Sequence, residues 1–313
     1  MKRRLDANAG KGRLMATVPA QDGLWNEQRS RIKRRTWLKA AAAVAVGGAG
    51  AWFMWGGEPV AETGAMQGAV VHHEALTAAE GVDGVALYRK LMAEAAKRLE
   101  TVDTISAVFH KQERIDGKLQ PLNVMEIRVR NKPLAIYGVW RTPDAGQQVI
   151  WRDGAHDGKM LVSPAGFKRR IMPIVKLLPD DPMAMAVSRR PVTNLGIWKF
   201  TERVAALLDE ELLRDPAVSV KVTKGDEISG RPCTAFKFEH VKPSPTAHFK
   251  DVTVLFDEVL RVPVAIEYHR WDDKGIAGHL EESYLFENLT LNVAMNDADF
   301  DEANPALKFG TNK

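Results

Sequence analysis

Apolar residues recur every three or four positions shortly after residue 83, at Leu87, Leu91, Ala95, Leu99 and Val102. This spacing places them in one stripe along a helix. Asp83 precedes the stripe and is a residue type that caps helix N-termini. The sequence therefore predicts an amphipathic helix over 83–102 whose apolar side packs against another element.

After residue 103 the apolar period changes to two. Met125, Ile127 and Val129 alternate with charged residues, and the stretch 218–222 repeats the pattern. Such alternation predicts strands that are buried on one face. Short turn sequences rich in Asp and Gly separate the strands, so we expect antiparallel hairpins rather than parallel crossovers.

Residues 167–213 interrupt the strands with prolines and short helical patterns, and Thr201 is a candidate cap for a longer helix. We find no internal repeat and no second domain boundary. The predicted fold class is α+β, a single domain over 82–313. An antiparallel sheet carries an N-terminal helix and a helical insertion that covers one face or mouth of the sheet.

Two stretches, 134–140 and 254–256, are apolar at successive positions. Strands of that kind need a cover on both faces. The helix over 83–102 can cover one face and the insertion the other. The same pattern fits a packed core and a cavity that holds an acyl chain, so the sequence leaves both interiors open.

Composition supports a folded chain, since 45% of the 313 residues are hydrophobic and 27% are charged. The net charge of +4 is unevenly distributed. Residues 1–39 carry eleven Lys and Arg against three acidic residues, a net charge of +8, so the remainder carries −4. With a net negative charge, residues 40–313 lack the positive electrostatic field that nucleic-acid binding requires. No nucleic-acid partner is therefore expected.

The basic stretch is followed by an uncharged apolar run over 40–55 and then by a polar segment, the order of an export signal. Arg34, Arg35 and Leu38 match the twin-arginine motif, while Lys33 and Trp37 replace its Ser/Thr and Phe. We predict a twin-arginine-type signal over 1–57, the twin-arginine export machinery as a partner, and a periplasmic location.

Sixteen apolar residues span only about 24 Å as a helix, less than the hydrocarbon core of a bilayer. An uncleaved signal that keeps the protein in contact with the inner membrane nevertheless remains an alternative. Residues 58–81 are rich in Ala and Gly without a sustained period, which predicts a flexible tether. Within it, Ala65 ends the best match to a signal-peptidase site.

The chain contains no G-x-S-x-G, H-E-x-x-H, Walker or G-x-G-x-x-G motif, and we predict neither enzymatic activity nor a cofactor. Cys233 is the only cysteine and is expected to be a small buried residue. No metal site is predicted, because Asp297, Asp299 and Asp301 lack the Gly and Glu of a calcium loop. Carboxylates can converge in space without a linear motif, so an enzyme acting on envelope polymers stays a lesser alternative.

Arginine pairs at 169–170 and 189–190 flank an apolar, methionine-rich stretch. One interpretation is a buried loop whose charges are solvated. The other is a basic and apolar lid that meets an acyl chain or an anionic head group.

Several segments together resemble a known family. They are F-x-K-Q-E-R at 109–114, the segment 133–140, R-R-P-V-T-N-L-G-I at 189–197 and the ending 284–309. The chain resembles the family of domain of unknown function 1571 and, more distantly, the LolA/LolB lipoprotein-carrier superfamily. The resemblance implies a strongly curved antiparallel sheet, an open half-barrel whose helices close an apolar cavity for acyl chains.

The function expected from this combination is a non-enzymatic exported carrier or binder of a lipid or acylated ligand. The alternative of another class is a membrane-tethered protein-interaction module of the envelope. The candidate cavity and lid residues are Met125, Ile127, Ile136, Trp140, Met172, Ile174, Leu177, Met183, Phe236, Phe238, Val254, Phe256, Ile266 and Tyr268.

Overall fold

The computed structural model describes residues 64–67, 69–78, 83–172, 174–214, 218–243, 249–272, 274–275 and 278–311. The predicted export signal, with Arg34, Arg35 and Leu38, lies outside these residues. Within them, no helix has both the length and the apolar character needed to cross a membrane.

The described chain contains thirteen strands and four α-helices. The strands are β1 Val70–Ala78, β2 Thr104–Ile115, β3 Lys118–Leu119, β4 Asn123–Arg130, β5 Ala135–Thr142, β6 Gln148–Arg152, β7 Met160–Ser163, β8 Val175–Leu177, β9 Ser219–Ile228, β10 Arg231–Glu239, β11 Asp251–Asp257, β12 Val262–Trp271 and β13 Gly278–Leu291. The α-helices are α1 Gly84–Leu99, α2 Lys168–Ile171, α3 Pro182–Met185 and α4 Ile197–Arg214.

The strands form one sheet in the order β1-β9-β10-β11-β12-β13-β2-β4-β5-β6-β7-β8, with β3 paired to β2. Every pairing is antiparallel. The sheet stays open, because β1 and β8 form its two edges. The predicted fold class is confirmed: a curved antiparallel sheet with an N-terminal helix and a helical insertion.

The N-terminal helix forms as predicted. The Asp83 carboxylate accepts hydrogen bonds from the backbone N–H groups of Val85 and Ala86, both at 3.0 Å, so it satisfies donors that the first helical turn leaves unpaired. The helix α1 packs against α4, β12 and β9.

The long helix of the insertion begins earlier than predicted. Thr201 is not its cap but a buried residue inside α4, which starts at Ile197. Gly196 precedes the helix with a φ of 131°, a backbone conformation that side-chain-bearing residues rarely adopt. The Trp198 indole then donates to the carbonyl oxygens of Leu99 (3.3 Å) and Val102 (3.1 Å), which ties the start of α4 to the end of α1.

The segment predicted as a tether, 58–81, contains a strand. Val70–Ala78 forms β1 on the edge strand β9, with Val70 opposite Ile228. Ahead of β1, Ala65 is buried, and its backbone N–H donates to the Ser283 hydroxyl at 2.9 Å. The chain therefore joins the sheet before the predicted domain start at residue 82, while the domain limits as a whole stay a prediction.

Apolar side chains form two clusters on the sheet. The larger one includes Ile105, Ile127 and Phe286 together with apolar residues of α1 and α4; we call the sheet face beneath these helices the inner face. The smaller cluster joins Tyr137 and Ile150 with Phe300, Leu307 and Phe309 of the C-terminal tail. Because Tyr137 and Ile150 alternate with inner-face residues along their strands, the tail covers the opposite, outer face.

Candidate functional site

The sequence-predicted cavity residues come together in the interior. Eleven of the fourteen belong to the larger apolar cluster, and Met183 packs against it from the insertion. These eleven are Met125, Ile127, Ile136, Trp140, Leu177, Phe236, Phe238, Val254, Phe256, Ile266 and Tyr268. Met172 is half-buried and Ile174 is exposed, and neither joins the cluster.

Close aromatic contacts fill one part of this interior. The Tyr88 ring of α1 meets Phe236 edge-on, with centroids 5.1 Å apart, and Phe238 at 5.0 Å. The Tyr88 hydroxyl donates to the carbonyl oxygen of Val204 in α4. Burial raises the pKa of Tyr88 well above its usual value, so the hydroxyl keeps its proton. Here the residues expected to line a cavity are packed against a helix.

Two buried glutamates face each other across neighbouring strands at another part of the inner face. Glu113 of β2 lies opposite Glu282 of β13, and they are 2% and 3% exposed. Side chains on a strand alternate between the two faces of the sheet. Glu113 therefore lies on the same face as Phe109, and Glu282 on the same face as Phe286, which is the inner face. Two carboxylates so placed repel each other unless cationic groups and hydrogen-bond donors compensate them.

The Tyr284 hydroxyl lies between the two carboxylates. Its oxygen is hydrogen-bonded to Glu113 and, at 2.9 Å, to Glu282. Burial, with Glu113 and Glu282 nearby, raises the pKa of Tyr284 well above its usual value. The tyrosine therefore keeps its proton and can donate it to one of the two glutamates.

Arginines of the insertion neutralise Glu282. The Arg190 guanidinium binds Glu282 through two nitrogens, one of them 3.1 Å from Oε1, and donates to the Tyr284 hydroxyl at 2.7 Å. Burial alone would raise the pKa of Glu282, but Arg190 and Arg203 lower it to about 2. The contribution of Glu282 to stability is thus complete above its unfolded pKa of about 4.5 and is lost as the pH falls towards 2.

Glu113 is held from the insertion as well. The backbone N–H of Arg189 donates to Glu113 Oε2 at 2.9 Å, and Lys111 Nζ lies 3.3 Å from the same oxygen. Lys111 also donates to the Ser188 hydroxyl at 2.9 Å. We call Glu113, Glu282, Tyr284, Arg189 and Arg190 the ionic network. We call residues 167–195, which the network fastens to β2 and β13, the lid segment.

Arg203 of α4 completes the surroundings of the network. Its guanidinium carbon lies 4.8 Å from the centroid of the Tyr284 ring and 5.6 Å from that of Phe200, distances at which a cation is attracted to an aromatic face. Arg203 Nε is buried and has no hydrogen-bond partner among the described residues. The site therefore retains donor capacity for an added acceptor.

A groove of about 500 Å³ lies on the outer face of the sheet. Strands β2, β4 and β5 form its floor, and Val293, Ala294 and Met295 of the tail form one wall. Polar groups of Arg128, Tyr137 and Asp299 also line it, and Arg128 is 3.2 Å from Asp299. Of the fourteen predicted residues, only Ile127 borders this groove.

The residues considered for metal binding have other partners. Asp297 pairs with Arg130 at 2.7 Å, and Asp299 with Arg128 at 3.2 Å. Among the residues that the structure describes, no group of three His, Cys, Asp or Glu is placed to hold a metal ion. Cys233 is buried, as predicted, and burial raises the pKa of its thiol to about 12.

The ionic network joins segments on which the family resemblance rests: 109–114, 189–197 and the start of the ending 284–309. The sequence profile of DUF1571, a protein of unknown function, matches residues 102–309. The chain belongs to the DUF1571 family. No curated protein matches it.

The solved structures that match this DUF1571 chain are distant from it. A chain of the Pseudomonas aeruginosa MucA/MucB complex is 13% identical, and the match covers 68% of this chain and 60% of that one, with a TM-score of 0.38. Lipoprotein LppX of Mycobacterium tuberculosis is 12% identical, with 69% and 99% covered and a TM-score of 0.38.

A LolA superfamily protein of Nitrosomonas europaea is 8% identical, with 68% and 97% covered and a TM-score of 0.28. The match thus spans less than two thirds of the MucA/MucB chain. None of the three identifies a ligand or a partner for the DUF1571 chain.

No motif or composition pattern marks Glu113, Glu282, Tyr284 or Arg203 as site residues in the sequence. The sequence does contain an alternation that points to Glu113. Phe109, Lys111 and Glu113 alternate along β2, so the two charged side chains lie on the same face as the buried Phe109. A charged residue in phase with the apolar positions of a strand must be compensated, which predicts a cationic partner. Arg189 and Arg190 were noted for their charge, but their partners lie more than 70 residues away.

Proposed function

We propose that this protein is a non-enzymatic exported carrier or binder of a lipid or acylated ligand in the cell envelope. The observation that supports the proposal is that the segment 167–195 packs against the apolar interior and is tied to β2 and β13 through the ionic network. A lid fastened by charged groups can detach and remain soluble, since water solvates those groups when they separate. An acyl chain would then enter between the insertion and the inner face, gaining about 0.8 kcal/mol per buried methylene.

Ligand uptake therefore depends on release of the lid segment. In the Arg190→Met variant, we expect the full-length protein to take up a fluorescent fatty acid at least tenfold faster than wild type, because the closed state loses its two-nitrogen contact with Glu282. Native mass spectrometry of wild type purified from bacteria should show a retained lipid.

The control is Arg89→Met, which removes the exposed ion pair between Arg89 and Asp209 far from the lid segment and should leave uptake unchanged. Wild-type protein without lipid, combined with equal uptake by both variants, would contradict the proposal.

The ionic network argues against the alternative of an enzyme that acts on envelope polymers. Glu282 is ionised at neutral pH and cannot act as a general acid there, and both carboxylates are engaged by groups of the protein. The outer-face groove favours a different second candidate, a membrane-tethered protein-interaction module. Crosslinking in native membranes that traps a protein at Tyr137 or Met295, with no bound lipid, would support that candidate instead.

Export through the twin-arginine machinery to the periplasm is part of the proposal. Replacing Arg34 and Arg35 with Lys keeps the leader charge but removes the planar guanidinium groups that a receptor can bind in fixed geometry. We expect the exported fraction to fall to less than a tenth of wild type in cell fractionation.

The matched control replaces the other adjacent arginine pair of the leader, Arg3 and Arg4, with Lys and should export normally. Undiminished export of the Arg34/Arg35 variant would refute the assignment. The mass of the exported wild-type protein shows whether the apolar run over 40–55 stays attached as an anchor.

A further inference from the structure

Exposed large apolar side chains are concentrated at the start of the lid segment. Phe167 is 68% exposed, Ile171 58%, Ile174 38% and Leu178 46%. Large apolar side chains exposed this close together on a folded protein commonly mark a surface that contacts a membrane or another protein.

The local structure presents Phe167 and Ile171 on one side. They are four residues apart at the short helix α2, a spacing that brings side chains to the same helix face. Arg169 lies on the other side, where its guanidinium donates to the carbonyl oxygens of Pro164 (2.7 Å), Gly146 (2.6 Å) and Thr311. These three hydrogen bonds hold α2 to the body of the domain with its apolar side outward.

The edge strand β8 also carries exposed apolar side chains. Leu177 is buried in the core, whereas Ile174, Lys176 and Leu178 are exposed. This is the alternation of a strand with one buried and one solvent-facing side. Two apolar side chains therefore flank a lysine on the outward side of β8.

The segment 166–178 is basic, although Asp144 pairs with Lys168 and Asp180 and Asp181 follow the segment. Residues 166–178 include Lys168, Arg169, Arg170 and Lys176 and no acidic residue. Lys168 lies 3.1 Å from Asp144, and Arg169 is occupied by carbonyl oxygens, while Arg170 and Lys176 are exposed. Exposed cations interleaved with exposed apolar side chains match an anionic lipid surface, which attracts the cations and accepts the apolar groups.

We propose that the lid surface, formed by Phe167, Arg170, Ile171, Ile174, Lys176 and Leu178, docks onto an anionic lipid bilayer. The apolar side chains enter the interface between head groups and acyl chains, and Arg170 and Lys176 contact lipid phosphates. This docking needs no bound ligand, so it stands independently of the carrier function proposed above.

The test places an environment-sensitive NBD fluorophore on the full-length protein at Ile171→Cys. Cys233 is not labelled at neutral pH, because it is buried and its thiol pKa is raised to about 12. The protein is mixed with vesicles of phosphatidylcholine containing 30% phosphatidylglycerol and a doxyl-labelled quencher lipid. We expect a blue shift and quenching of NBD emission, both much weaker with phosphatidylcholine alone.

The matched control carries NBD at Val259→Cys, an exposed apolar position in the turn between β11 and β12. Any binding of the leader to vesicles is the same for both labelled proteins, so only docking of the lid surface distinguishes them. Adding Arg170→Gln and Lys176→Gln should lower the ratio of inserted to free label by about 25-fold, because each basic residue near an anionic surface contributes about fivefold.

Equal quenching at both positions would overturn the proposal, since the leader alone would account for it. So would a label at position 171 that becomes protected without vesicles as protein concentration rises, because the surface would then bind a second copy of the chain.

Discussion

Replacing Arg190 with Met should lower the free energy of unfolding by about 3 kcal/mol in equilibrium urea denaturation of the full chain. The substitution leaves Glu282 buried without its two-nitrogen partner, and breaking a buried ion pair from one side costs about 3–5 kcal/mol. The lower value is expected because Arg189 Nε remains 3.8 Å from Glu282 and Arg203 continues to attract it.

Two variants make this expectation specific. Arg89→Met removes an ion pair whose side chains are more than half exposed and should cost at most about 1 kcal/mol. The double variant Arg190→Met with Glu282→Met should recover most of the loss, because an apolar pair can replace a buried ion pair without penalty. A double variant as unstable as Arg190→Met alone would show that the loss does not come from an uncompensated Glu282.

Replacing Tyr88 with Ala should cost about 4 kcal/mol of unfolding free energy, the usual size for truncating a large buried aromatic side chain. The ring is fully buried between Phe236 and Phe238, and its loss opens a cavity beneath α1. Urea denaturation measures the effect. It also tests whether the interior is packed when no ligand is bound.

Tyr88→Phe is the matched control, since it keeps the ring and removes only the hydrogen bond to the Val204 carbonyl. It should cost about 1 kcal/mol. If Tyr88→Ala cost no more than Tyr88→Phe, the ring would contribute little packing, and the interior beneath α1 would already be loose enough to admit an acyl chain.

The local sequence pattern correctly predicted those elements that need only an apolar surface to pack against, whichever part of the chain supplies that surface. The helix α1 follows from one apolar stripe and its Asp83 cap, and β4 follows from strict alternation at Met125 and Ile127. Any apolar surface would satisfy these patterns. By contrast, β1 has no such pattern in its Ala- and Gly-rich surroundings, and its conformation depends on pairing with β9, about 150 residues later.

The start of α4 was misplaced for a related reason. Thr201 is a good capping residue by type, but Ile197 and Phe200 are buried, and their packing extends the helix N-terminally. Tertiary contacts therefore outweighed the local preference of one hydroxyl group.

The candidate site also contains residues that local sequence predicted and residues that only the folded chain shows. Apolar composition identified most interior residues, because burial depends mainly on residue type and phase. The ionic network depends on the register between β2 and β13, which sets Glu113 opposite Glu282, and on the path of the lid segment. Neither the register nor the path is encoded in a short stretch of sequence, so the pair could be found only in the folded chain.

The position of β13 in the sheet constrains the order in which the domain can fold. This last strand lies between β12 and β2, and it joins the strands that precede the insertion to those that follow it. Until the ribosome has released residue 291, β2 and β12 each expose an unpaired edge that invites association with other chains. The two groups of strands can therefore join only after synthesis has passed residue 291, and a chaperone that shields these edges until then would raise the yield of folded protein.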